Sequence, residues 1–176
     1  MTCAARRQRS VRSLTTSLPV RRCGSLATDS LSKLAQVWAE RWREVVEPLR
    51  RGPAPAEARA LLQKARDHVK DAKTLAASGS HGSALAFAED ALVNCADAVL
   101  RRDGWRARGK SGGHQARFAY PGLPAVFSSR PTLLNQIRTL RNTEVYEAAH
   151  VVTPQQAADA IAFAEEVIAE VAKVTP

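Results

Sequence analysis

Residues 131–146 read Pro-Thr-Leu-Leu-Asn-Gln-Ile-Arg-Thr-Leu-Arg-Asn-Thr-Glu-Val-Tyr. At 100° per residue, Leu133, Leu134, Ile137 and Leu140 share one face of a helix. Arg141 falls near the middle of that apolar face. A guanidinium does not lose its proton at neutral pH, so a buried one needs partners. This leaves two arrangements open: the arginine is paired across a core, or the face is an interface with a polar centre.

The rest of the chain also patterns as helix. Apolar residues make up 45% of the 176, but alanine supplies much of that share and aromatics reach only 5%. Such a composition favours closely packed helices over sheets. Ala58, Leu61, Leu62, Ala65, Val69, Ala72 and Ala76 predict a helix over about 56–78. His68 and the cations Arg66, Lys70 and Lys73 fall on or near its outer face. A second helix is predicted over about 83–102. One seam there is Leu85, Ala88, Leu92, Cys95 and Val99, and another is Phe87, Ala91 and Ala98. A helix apolar on two sides is central in a bundle. Cys95 is then a core residue, and Asn94 is a polar group available to specify packing. Pro131 opens the third helix. Thr153, Pro154 and Gln156 spell a capping box that opens the fourth.

Upstream, Leu31, Leu34, Trp38, Trp42, Val45, Val46 and Leu49 predict an amphipathic helix ending near Arg51. Gly52-Pro-Ala-Pro55 follows as a stiff linker. Residues 1–28 hold six arginines and no acid. They read as a disordered basic tail, with a transit peptide or nucleic-acid-binding arm as alternatives. The expected organisation is a tail over 1–28, an amphipathic helix and linker over 29–52, and a bundle over 53–176. No segment alternates convincingly with period two. The fold class expected is all-α, a four-helix up-and-down bundle with an extra N-terminal helix.

A net charge of +9 implies attraction to polyanions rather than a fold. Three cysteines without a CxxC pair, and no apolar run near the roughly 18 residues that span a bilayer, point to a reducing, cytoplasmic setting. Gly104-Trp-Arg-Ala-Arg-Gly109-Lys110-Ser111 fits the letters of a phosphate-binding loop. That loop needs a buried strand before it and a helix starting at the lysine. Here a predicted helix precedes and Gly112-Gly113 follows. An ordinary solvated loop is the plain reading of this basic stretch, and contact between RNA phosphates and Arg106, Arg108 and Lys110 is the functional alternative. The four histidines (68, 81, 114 and 150) lie in different segments, so neither a metal site nor a cofactor is expected.

A helical hairpin, a basic loop with Gly113-His114, a helix bearing Arg141-Asn142-x-x-x-Tyr146 and a capped last helix resemble the HEPN family over roughly residues 56–174. The resemblance implies a homodimer through the helix carrying Arg141, with RNA or a nucleotide as ligand. In active members an arginine, a polar residue and a histidine four to six residues after the arginine cleave RNA without metal. A 2′-hydroxyl attacks the adjacent phosphate while arginine offsets the developing charge and histidine moves a proton. Here the position five after Arg141 is Tyr146, whose ordinary pKa of about 10 suits proton transfer poorly at neutral pH. His150 stands nine after Arg141, about half a turn round a continuous helix.

The resemblance thus assigns Arg141, Asn142 and Tyr146, with His114 as a further candidate and Arg138, Arg106, Arg108 and Lys110 for nucleic-acid contact. It implies a metal-independent ribonuclease, a place in a toxin–antitoxin or defence system of the kind found in bacteria, and a nucleotidyltransferase antitoxin as partner; Tyr146 in place of the histidine shifts the expectation to little or no catalysis. A ribonuclease toxin and a structural, protein-interaction domain are the competing expectations.

Overall fold

The computed structural model describes residues 46–108, 117–146 (144–146 as backbone only) and 152–175. Among them four long helices form the body, as the periodicity predicts. They are α1 (Pro55–Ala77), α2 (His81–Arg102), α4 (Pro131–Tyr146) and α5 (Pro154–Val174), and a short α3 (Val126–Ser129) precedes α4. Helices α1, α2 and α5 pack on one another, and α4 lies chiefly against α2.

Helix α2 is the axis of the bundle. Its buried positions include Leu85, Ala88, Leu92, Cys95, Ala96, Val99 and Leu100, which occupy more than one face. Alanine at so many of these positions lets α1 and α5 approach closely, and Leu62, Val69, Phe163, Val167 and Val171 fill the spaces between. Burying one large apolar side chain of this kind stabilises by about 1.5–3 kcal/mol. Helix α5 opens on the expected capping box. Gln156 N donates to Thr153 Oγ1 at 3.2 Å and Thr153 N donates to Gln156 Oε1 at 2.9 Å.

Two features depart from the all-helical expectation. Val46–Pro48 form a strand, β1, where the apolar spacing predicts the end of a helix. It pairs antiparallel with β2 (Trp105–Ala107), Val46 opposite Ala107 and Pro48 opposite Trp105. Val46 is buried, so the same residue that suggested a helical stripe instead anchors a ribbon. Pro48, confined to edge positions in strands, fits the end of a three-residue edge. Trp38 and Trp42 lie outside the described residues. Gly104 makes the turn from α2 into β2 with φ of +85°, and a Cβ there would stand 3.3 Å from Pro53 N.

The region after α2 is knit by a second device. Arg102 donates to both carboxylate oxygens of Asp103, at 2.6 and 2.8 Å, and Tyr120 Oη donates to Asp103 Oδ2 at 2.9 Å. Burial pushes the Asp103 carboxyl up, but these donors outweigh it and hold it below its ordinary value. Burial and the bond to Asp103 push the Tyr120 phenol up to about 12. Arg102 also reaches Val174 O at 3.1 Å, tying the end of α2 to the end of α5.

Candidate nucleic-acid interface

The apolar face of α4 is used within its own bundle. Ile137 is 1% and Leu134 8% exposed, and Leu133 and Leu140 are half-buried against the same core. Of the two arrangements open for Arg141, the described chain contains the first. Its Nη2 donates to Asp90 Oδ1 at 3.1 Å. Its Nε stands 3.0 Å from Glu89 Oε2. The second contact is a charge contact without hydrogen-bond alignment, since neither atom has a well-directed partner. The guanidinium therefore bridges two consecutive acids of α2.

The burials of the pair differ. The Glu89 side chain is 4% exposed, whereas Arg141 keeps 29% of its surface. Burial pushes the Glu89 carboxyl above its ordinary value, and Arg141 opposes that shift. Arg138 and Arg117 act in the same direction as Arg141, and Asp90 against it. Arg138 is half-buried, and burial draws its guanidinium down from the usual range while Glu89 holds it up. Arg117 in turn pairs with Asp97 at 3.3 Å. Three cations and three acids thus share this end of the α2–α4 contact. Asn94, one turn along α2, donates to Asp90 O at 2.8 Å, so the uncharged amide belongs to the same helix face.

Asn142 is exposed on α4 beside Arg141. Arg138, Asn142 and Tyr146 recur at i, i+4 and i+8 of one helix, which sets them in one stripe. The basic residues after α2 sit elsewhere. Arg106 pairs with Glu47 across the ribbon, with Nη2 at 2.5 Å from Oε1, and Arg108 Nε lies 3.5 Å from Glu47 Oε2. The Arg106 pair is cross-strand, Arg108 joins it from just beyond β2, and both arginines remain half-exposed. Lys110, His114 and His150 lie outside the described residues.

Other sequence expectations fall into place around the site. Gly104 follows a helix, α2, rather than a buried strand, so the phosphate-loop letters lack the framework that loop requires. Cys95 is wholly buried and its thiol is pushed up to about 12 by desolvation. His68, expected in solvent, is half-buried with its ring 5.4 Å from that of Phe87. No group of three His, Cys, Asp or Glu able to hold a metal occurs among the described residues. None of their helices is long and apolar enough to cross a membrane.

Sequence reasoning missed Glu89 and Asp90. A signal was present: Glu89 stands four after Leu85 and three before Leu92, inside an apolar stripe. It is the acid counterpart of the arginine on the apolar stripe of α4.

No curated protein and no solved structure matches the chain significantly. The profile of the HEPN domain matches residues 58–174, which takes in the four long helices but for the first three residues of α1. That match covers most of the chain and agrees with the bundle and its arginine-bearing helix, and the chain belongs to the HEPN-domain family.

Proposed function

We propose that this protein is a cytoplasmic HEPN-type RNA-binding domain, working as a homodimer and cleaving RNA weakly or not at all. The observation that supports it most is the seating of Arg141. Asp90 and Glu89 hold its guanidinium in one orientation while part of it still faces solvent. A cation fixed in advance loses less entropy when a phosphate arrives. Arg138 and the exposed Asn142 extend the surface along α4, and Tyr146 continues the stripe. Arg106 and Arg108 add a second, more distant contribution to phosphate attraction.

The same geometry argues for slow chemistry. The acids beside Arg141 offset much of the charge that a phosphorane-like transition state would use. The family's histidine position is occupied by Tyr146, a poor base at neutral pH.

Filter binding of the full chain to a single-stranded RNA across a salt series is the test. Affinity should fall linearly on logarithmic axes, and Asn142→Ala and Arg138→Gln should each weaken binding several-fold. Affinity indifferent to salt, or unmoved by both substitutions, would refute the proposal. Sedimentation of the same sample reports the dimer. Cleavage of that RNA in chelator, abolished by Asn142→Ala, would instead establish the ribonuclease toxin. In that case, rescue of growth by a co-expressed nucleotidyltransferase would identify an antitoxin partner.

The pairing of Arg141 with two acids of its own bundle favours a second reading, in which the helix is structural and the domain serves protein interaction. Stable folding that depends on Arg141 without any RNA binding would support it.

A further inference from the structure

On the side of the bundle built by α1 and α5 lies an open groove of about 510 Å³. It shares no residue with the α2–α4 contact. Its floor is apolar: Val69 is 6% exposed and Ile168 is half-buried. One rim is basic, because Arg66, Lys70 and Lys73 recur at i, i+4 and i+7 along α1. Lys73 is engaged across the groove by Glu165 of α5, at 2.5 Å. Arg66 makes only a marginal contact, Nη1 to Gln63 Oε1 at 3.5 Å. Among the described residues, neither Arg66 nor Lys70 has a carboxylate within ion-pair distance. Two cations one turn apart therefore stand above an apolar floor without a counter-charge.

We propose that this groove docks an amphipathic helix of a partner protein that carries carboxylates one turn apart beside its apolar face. Two adjacent helices leave a channel between them, and a third helix seats its apolar ridge there. Ala169 and Ala172 line the α5 side, and their small side chains let an incoming backbone approach closely. Carboxylates spaced i, i+4 on that helix match the Arg66–Lys70 spacing. A polynucleotide fits poorly. The lining offers no aromatic ring for base stacking.

Fluorescence anisotropy on the full chain tests this with an 18-residue helical peptide bearing leucines on one face and glutamate pairs at i, i+4. A twin peptide has lysines in place of the glutamates. The acidic peptide should bind saturably, at least tenfold tighter than its twin, and less tightly as salt rises. Arg66→Glu combined with Lys70→Glu should cost at least tenfold, as should Ile168→Asp, whereas Asn142→Ala should change nothing. Absence of saturable binding by the acidic peptide overturns the proposal, as does equal binding by the twin. The twin is read on the unaltered protein, so it decides even if a variant misfolds. A 12-nucleotide RNA that binds tightly and loses that binding in the Arg66/Lys70 double variant would show a nucleic-acid surface and overturn it as well.

Discussion

Arg141→Ala takes a guanidinium away from a carboxylate that water barely reaches. Glu89 would keep Asp90 as a neighbour of like sign and lose the closest opposing charge. Breaking a buried ion pair from one side costs about 3–5 kcal/mol. Two features reduce that figure here. Arg141 is 29% exposed, so solvent already screens part of the attraction. Arg138 and Arg117 also lower the Glu89 pKa and remain in place. A loss of about 2–3 kcal/mol follows, and in a domain of this size each kcal/mol moves Tm by roughly 3–5 °C. The melting point should therefore drop by about 10 °C at pH 7.

The pH dependence gives a sharper check. The Glu89 pKa is raised in the folded protein, so the carboxyl favours folding when protonated, below its ordinary 4.5. That contribution is lost as pH rises through the folded value. Without Arg141 the folded pKa rises further, so the penalty should be smaller at pH 5 than at pH 7. Thermal unfolding followed by circular dichroism at both values measures it. Arg141→Met combined with Glu89→Gln should recover most of the loss, because the neutral pair leaves no buried charge behind. A melting point within 2 °C of wild type at pH 7, or an equal penalty at both pH values, would refute the reasoning.

Three smaller predictions follow from the packing. Tyr120→Phe should cost about 1–2 kcal/mol by urea unfolding, since Asp103 loses a donor at 2.9 Å. The raised phenol favours folding below pH 10, and that share should vanish as pH climbs toward 12, visible as a late-titrating tyrosine absent from the variant. Gly122→Ala should destabilise by about 1–3 kcal/mol, because a Cβ there would sit 2.5 Å from Tyr120 Cε1 and 2.8 Å from Asp103 Oδ2. Cys95 should resist a thiol-specific disulfide reagent in the native protein and react only on unfolding, as mapped by mass spectrometry. Modification at the native rate of a free thiol would contradict its burial.

The four helices were legible because each shows a long repeat of the helical period, and α5 also has a cap with a defined chemistry. The β1–β2 ribbon was not. Three-residue strands are too short to show alternation, and Val46 and Leu49 fit the end of a longer helical stripe equally well. Their partner is set by a contact 59 residues away, Glu47 to Arg106, which no local pattern encodes. At the site, Arg141 announced itself as a charge on an apolar face. Whether that face met its own bundle or a second copy was a tertiary question. Glu89 answers it for the described chain, from a position where a carboxylate is expensive unless paired. His68 shows the converse: an outward position by helical phase is partly covered because Phe87 projects from the neighbouring helix.

The ribbon between Val46–Pro48 and Trp105–Ala107 has a topological outcome of its own. It joins the approach to α1 with the exit from α2, so the two-helix hairpin is closed into a ring at its base. Val46 thereby stands opposite Ala107, and Glu47 beside it gathers both Arg106 and Arg108.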